Sequence, residues 1–226
     1  MWPAVELKPL TIICGHYGTG KTNLSVNLAV DAAKEGKKVT LIDLDIVNPY
    51  FRTADHTQLL GSLGIKVLAP SFANTNVETP GMTEGMDAAF DDGIVILDVG
   101  GDDAGAVVLG VLSEKIRKKD HDMWYVVNRC RPMVSDPESS AEMLRDIENA
   151  SRLKVTGIVN NSHLKDQTAP ETILDSVSYA ERTAELAGVP LVFSTCPKDI
   201  CNGVGEIEFL YPVAIYVKTP WEKEGI

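Results

Sequence analysis

Residues 15–22 of this chain read Gly-His-Tyr-Gly-Thr-Gly-Lys-Thr, and this stretch decides the fold. It satisfies the pattern G-x-x-x-x-G-K-[ST]. The apolar run Thr11–Cys14 comes directly before it, and a segment with apolar residues at helical spacing follows. A strand, a glycine-rich loop and a helix in that order form a nest of backbone N–H groups that binds phosphate oxygens. The alternative is a plain glycine turn into a helix, and the context favours phosphate binding.

Each residue type in this loop has a physical reason to be there. Glycines let the backbone turn so that its N–H groups point inward. The ammonium of Lys21 can reach the terminal phosphates, and the hydroxyl of Thr22 can bind Mg²⁺. The predicted nucleotide-binding residues here are Gly15, His16, Tyr17, Gly18, Thr19, Gly20, Lys21, Thr22 and Asn23.

Short, nearly unbroken apolar runs alternate with helix-like segments along the chain, which is typical of a parallel sheet buried on both faces. The predicted strands are 10–14, 38–43, 65–69, 94–98, 123–128, 155–160 and 190–194, with 212–217 as a candidate edge strand; the predicted helices are 21–35, 137–153 and 170–187. Residues 70–93 read as a long surface excursion. We predict one α/β domain over 1–226, with three layers, a mostly parallel sheet and helices on both faces.

Acidic residues follow two of these strands. Asp43 and Asp45 end the second strand, and Asp98 ends the run Ile94–Asp98, shortly before Gly101. Because strand ends of a parallel sheet meet at one edge, these carboxylates should lie near the phosphate loop. The alternative for each is a turn or capping carboxylate. We predict Thr22, Asp43 and Asp98 as metal ligands and Lys21, Asp45 and Asp98 as catalytic residues, with Gly101 donating its N–H to the γ-phosphate.

With these motifs the chain resembles the MinD/ParA/CobQ–CobB group of P-loop ATPases, which includes the nitrogenase iron protein. The resemblance rests on HYGTGKT, on Asp43-Leu44-Asp45 and on Asp98-Val99-Gly100-Gly101-Asp102, and it extends to about Asp199. It implies that ATP and Mg²⁺ are bound and that ATP is hydrolysed. It also implies that Asp102 belongs to a switch that reports the nucleotide state.

The same resemblance implies an adenine site. In the family an Asn after a later strand and a proline loop after the next strand contact the base. Here Asn161 is the favoured counterpart of the first, with Asn160 as the alternate. Pro197 and Asp199, in Cys196–Asp199, are the counterparts of the second.

One position departs from the family pattern. His16 stands where the family has a lysine that reaches across a dimer to the partner's phosphates. Histidine is shorter and mostly neutral at pH 7. The resemblance therefore does not extend to activation by this residue. Both a plain loop role and a catalytic or sensing role stay open for His16, and a homodimer stays possible.

The charge composition limits the classes of partner that are expected. The formal net charge is −11 and the pI is about 4.8, which disfavours nucleic acid and an anionic membrane surface. The basic residues Arg129, Arg131 and Lys115–Lys119 are interpreted as solvated surface.

No signal peptide or membrane span is visible, and the four cysteines form no disulfide framework, so a cytoplasmic location is predicted. Cys130, Cys196 and Cys201 are interpreted as ordinary thiols, with a metal site as the alternative.

Three functions are compatible with these features. The leading prediction is a switch ATPase that serves assembly, maturation or activation of an unknown partner protein. The alternative is an ATP-dependent small-molecule enzyme of the CobQ/CobB type, although no arginine-bearing lid of the kind kinases use stands out. A partition-type DNA-associated ATPase is disfavoured by the charge.

Overall fold

A computed structural model describes residues 5–45, 57–68, 89–90, 92–101, 103–164, 167–205 and 207–217. These residues form an eight-stranded, fully parallel sheet of order β3-β2-β4-β1-β5-β6-β7-β8. The strands are β1 (Leu10–Cys14), β2 (Val39–Leu44), β3 (Lys66–Leu68), β4 (Ile94–Val99), β5 (His121–Val127), β6 (Gly157–Asn160), β7 (Leu191–Pro197) and β8 (Leu210–Val213). The helices are α1 (Lys21–Lys34), α2 (Thr57–Ser62), α3 (Asp103–Ile116), α4 (Pro137–Ser151) and α5 (Pro170–Ala187), with 3₁₀ turns at Pro132–Val134 and Cys201–Gly203.

Helices cover both faces of the sheet, as the unbroken apolar runs predict. Successive strand residues point to opposite faces, so Ile12 packs in the cluster with α3, α4 and α5, while Ile13 packs with α1 and Leu60 of α2. Full burial of one such side chain contributes about 1.5–3 kcal/mol. The two clusters hold the sheet and leave the loops at the strand ends available for a site. The predicted α/β fold is confirmed.

Local signals set the helix ends. Helix α4 begins after Asp136, whose carboxylate accepts a hydrogen bond from Ser139 N at 2.8 Å and satisfies an otherwise unpaired backbone donor. Helix α5 ends at Gly188, which has φ 70° and is the predicted C-cap. Within the described residues, no helix has both the length and the apolar character needed to cross a bilayer.

Several elements differ from the sequence prediction, among them the short helix α2, which is not one of the predicted helices. The sequence does not predict helix α3, because the segment DAGAVVLGVLSEKI is apolar with two interrupting glycines, which obscures a helical period. The last strand is Leu210–Val213 rather than 212–217. It ends early because the next backbone N–H groups turn to α1: Ala214 N donates to Asn27 Oδ1 at 2.8 Å. Of the predicted excursion 70–93, only 89–90 and 92–93 are described, and Ala89 and Phe90 are buried.

The order of the strands in the sheet determines where a binding site lies. β1 lies between β4 and β5 in the sheet, while β2 lies beyond β4. Connections that leave the carboxyl ends of these strands run in opposite directions, and this leaves a crevice at the end of β1. The loop 15–20 starts there, so its neighbours are the ends of β4 and β5.

Candidate functional site

The loop between β1 and α1 has the backbone that a phosphate nest requires. Gly15, Gly18 and Gly20 have φ values of 144°, 76° and 89°, which L side chains rarely adopt. At Gly20 the requirement is also steric, since a Cβ there would collide with the side-chain amide of Asn161. Helix α1 begins directly after this residue. The loop N–H groups and the helix N-terminus therefore converge on one anion-binding position.

Lys21 is held inside this loop. Its side chain is buried, and its Nζ donates to the carbonyl oxygen of His16 at 3.0 Å. The same carbonyl accepts from the Thr19 hydroxyl at 2.9 Å. The His16 ring lies on the outside of this turn, with Nδ1 3.0 Å from the carbonyl oxygen of Tyr17. A buried ammonium bound to a neutral carbonyl is placed to exchange it for a phosphate oxygen, which is the stronger partner.

Two buried carboxylates lie next to the loop. Asp43 and Asp98 are register partners on adjacent strands. Burial raises the pKa of Asp98 to about 7, and the charge of Asp43 adds to this, while the Thr22 hydroxyl and Lys21 lower it. One Asp98 oxygen accepts from Ser25 Oγ at 3.3 Å, and the other is buried without a hydrogen-bond partner among the described residues.

This oxygen set fits a hard divalent cation. The hydroxyl of Thr22 and the carboxylates of Asp43 and Asp98 are the ligand types that Mg²⁺ prefers, and the unpartnered Asp98 oxygen is a vacant acceptor. Within the described ranges, no group of three or more His, Cys, Asp or Glu side chains could hold a metal. Mg²⁺ is usually bound by one or two carboxylates together with substrate phosphates.

Gly101, at the end of β4, touches the loop directly. A Cβ built on it would lie 2.5 Å from the Tyr17 backbone nitrogen and 2.9 Å from Lys21 Nζ. We therefore expect Gly101→Ala to displace the lysine and weaken nucleotide affinity by about 10-fold or more, the effect of losing one hydrogen bond to a charged group. Equilibrium binding of a fluorescent nucleotide tests this. Gly61→Ala is the control, since nothing lies within 4 Å of a Cβ there, and equal affinity in both variants would contradict the prediction.

The structure separates the two asparagine candidates for base binding. Asn160 points into the interior, where its amide donates to Ser176 Oγ at 2.9 Å and Ser194 Oγ at 3.2 Å. Asn161 lies against the loop, where its amide donates to the carbonyl oxygen of Thr19 at 2.6 Å. A side-chain amide nitrogen carries two donors, so the second can serve a ligand. The position beside the loop favours Asn161.

The other predicted ligand-binding residues lie in different surroundings. Pro197 is the last residue of β7, and Asp199 lies exposed in the turn after it. The Asn23 side chain does not face the loop: its amide donates to Ala214 O at 3.0 Å and its oxygen accepts from Tyr216 N at 2.8 Å. Any phosphate contact from Asn23 would therefore involve its backbone. Asp102 lies outside the described residues.

One residue beside the loop was misinterpreted from the sequence. Arg131, assigned to solvated surface, lies with its side chain against Gly18: a Cβ on that glycine would be 3.3 Å from Arg131 Nε. The sequence signal was its position shortly after a strand that neighbours β1, which only the strand order reveals. The four cysteines are free, and Cys14, Cys196 and Cys201 are buried, as expected for ordinary thiols.

Comparisons with known proteins agree with this geometry. Over 37 residues the chain is 57% identical to an uncharacterized ATP-binding protein of Methanocaldococcus jannaschii, a match that covers 16% of this chain and 14% of that protein. Its fold is similar to the signal recognition particle 54 kDa protein of Aeropyrum pernix K1 in complex with GDP, with a TM-score of 0.56, 18% identity and coverage of 84% of this chain and 41% of that one. It is also similar to FlhF complexed with GTP and Mg²⁺, with a TM-score of 0.58, 15% identity and coverage of 93% and 73%.

This chain matches less than half of the length of the signal recognition particle protein. At such low identities the two solved structures establish the fold alone. The family match is much broader, since residues 10–189 fit the CobQ/CobB/MinD/ParA nucleotide binding domain. That range includes β1, the loop, both buried carboxylates and Asn161. The chain is a P-loop nucleotide-binding protein that belongs to the CobQ/CobB/MinD/ParA family.

Proposed function

We propose that this protein binds MgATP in the loop 15–22, hydrolyses it, and uses the nucleotide state as a switch in the assembly, maturation or activation of a partner protein. We further propose that residues 1–226 act as one domain and that the protein works in the cytoplasm. The observation that carries the proposal is the contact of Lys21 Nζ and the Tyr17 backbone with Gly101. It joins the phosphate loop to the end of β4 and hence to α3.

The chain's own groups would carry out the chemistry of the proposed hydrolysis. Lys21 and the loop N–H groups would hold the terminal phosphate and stabilise the charge that develops as water attacks it. When bound by Thr22, Asp43 and Asp98, Mg²⁺ supplies further neutralisation of phosphate charge. Asp45 follows β2, and its backbone N donates to Asp43 Oδ1 at 2.9 Å, which fixes it beside the carboxylate pair. There it would orient the attacking water.

The coupling to a partner would run through α3. Gly101 lies two residues before this helix, so movement of the Gly101 backbone on loss of the γ-phosphate would act on the start of α3. Val107 and Val111, one helical turn apart on α3, are 56% and 69% exposed. An apolar surface of this kind on the helix that follows Gly101 suits a contact that changes with the nucleotide.

The choice of ATP over GTP rests on two resemblances. The M. jannaschii relative is named as ATP-binding, and the motif resemblance is to ATPases. The structurally similar FlhF binds GTP. Asn161 can donate to either purine, so its position beside the loop supports a base site without choosing the base.

The test is hydrolysis by the purified protein with no added metabolite. We expect slow phosphate release from MgATP, at least about 10-fold faster than from MgGTP, and release that stops in EDTA. Asp45→Ala should retain ATP binding but lower kcat by about 10²-fold, the usual contribution of a residue that positions or deprotonates a nucleophile. Phosphate release and equilibrium nucleotide binding measure the two effects.

Each alternative has its own result. Turnover that appears only with an added small molecule would indicate an enzyme of the CobQ/CobB type. Salt-sensitive DNA binding in ATP would indicate a partition-type protein. Asp45→Ala with a wild-type kcat would remove the role of Asp45. Absence of nucleotide binding by the wild-type protein would overturn the proposed function.

A further inference from the structure

We propose that Arg131 binds the phosphates of the nucleotide held in the loop of its own chain and stabilises the charge that develops during hydrolysis. The inference rests on the proposed ATPase function and goes beyond it by adding a catalytic cation. It would supply, from the same chain, a positive charge beside the loop.

The turn that carries Arg131 is held firmly in place. It follows β5, and Arg131 N donates to the carbonyl oxygen of Asn128 at 3.0 Å. The Asn128 side chain is buried and accepts from Cys130 N at 3.0 Å. Arg129 N donates to Ser162 Oγ at 2.9 Å, which ties the turn to the end of β6. The base of the Arg131 side chain is thus fixed relative to the loop, as a precise contact with a ligand requires.

The side chain then runs along the phosphate loop. A Cβ on Gly18 would lie 3.3 Å from Arg131 Nε and 3.5 Å from Cζ, so the guanidinium packs on the loop itself. Arg131 Nε is buried without a hydrogen-bond partner among the described residues. No described residue forms an ion pair with this side chain either.

A buried Nε donor without a partner is costly in a folded protein, since it has lost water and gained no hydrogen bond in exchange. The cost is removed when an anion binds beside it. Gly18, which Arg131 contacts, lies in the loop that we propose binds a polyphosphate. Guanidinium donors match phosphate oxygens in geometry and charge. The nucleotide is therefore the counterion that completes the Arg131 environment.

Arg129 provides a matched control. It belongs to the same turn, carries the same charge, and is exposed. Its guanidinium donates to the carbonyl oxygen of Asp175 on α5 at 2.6 Å, away from the loop. Replacing Arg129 removes one positive charge from the turn without touching the loop.

The experiment compares Arg131→Gln, Arg131→Lys and Arg129→Gln in full-length protein. For Arg131→Gln we expect kcat for ATP to fall by about 10²-fold or more, since an arginine at transferring phosphates contributes on the order of 10³–10⁵. Affinity for ADP should change by less than kcat, because the contact strengthens in the transition state. Arg131→Lys should recover part of kcat, and Arg129→Gln should leave it unchanged.

Chemical rescue separates a catalytic role from a structural one. Guanidinium ion at millimolar concentration should restore part of the turnover of Arg131→Ala and have no such effect on Lys21→Ala. If Arg131→Gln hydrolyses ATP at the wild-type rate, or loses thermal stability and kcat together without rescue, the inference is wrong. Those results leave the proposed function standing, which fails only if wild-type protein neither binds nor hydrolyses nucleotide.

Discussion

Replacing Lys21 with alanine is expected to abolish nucleotide-dependent behaviour while leaving the fold intact. The ammonium lies inside the loop at 3.0 Å from the His16 carbonyl oxygen and next to Gly101. Its loss removes the ammonium that lies inside the phosphate nest. We expect kcat to fall by about 10²–10³-fold, the cost of removing a single preorganised donor at a reacting oxygen.

Thermal unfolding gives an independent measurement of the same loss. MgATP at 100 times its Kd should stabilise the wild-type protein by about 2.7 kcal/mol. Lys21→Ala should show little of this gain at the same concentration, with an unliganded Tm close to wild type. Lys34→Ala, at the exposed end of the same helix, is the control and should keep the full gain. An undiminished ATP-dependent rise in Lys21→Ala would show that the triphosphate binds elsewhere.

Asp98→Asn is expected to stabilise the unliganded protein and inactivate it at the same time. Asp98 is buried beside Asp43, and one of its oxygens has no hydrogen-bond partner among the described residues. Removing a buried charge that burial and Asp43 both disfavour is worth on the order of 1–3 kcal/mol, which corresponds to a Tm rise of several degrees. Activity should fall by about 10²-fold or more, because an amide is a poorer ligand for Mg²⁺ and carries no charge.

The pH dependence of this gain has a definite sign. The pKa of Asp98 rises from 3.8 in the unfolded chain to about 7 in the folded one. Between these two pKa values the folded state binds more protons than the unfolded chain, so the contribution of Asp98 to wild-type stability falls as the pH rises. That contribution is lowest above pH 7. The advantage of Asp98→Asn in EDTA should therefore be largest at pH 8 and shrink towards pH 4. Asp120→Asn, at an exposed position, should show no such trend. An advantage that is constant with pH would contradict the buried-charge account.

The placement of α3 and Asn23 shows what the sequence could not determine. Helix α3 carries apolar residues on its exposed side too, among them Val107 and Val111, so its apolar residues give little periodic signal. Asn23 follows the loop motif directly, yet its side chain binds the segment after β8, 191 residues further along the chain. A helix presents successive residues about 100° apart, so neighbours of a motif residue need not face the same ligand.

By itself the sequence determined the α/β class, the phosphate loop and the acidic strand ends, because each depends on a local pattern: unbroken apolar runs, glycines at set spacing, and carboxylates directly after strands. Tertiary structure alone decided which side chains meet across the crevice. It placed Asn161 rather than Asn160 beside the loop, and it brought Gly101 into contact with Lys21 and the Arg131 side chain against Gly18. The physical reason is the strand order, which puts the ends of β4, β5 and β6 beside a loop that is distant from them in sequence.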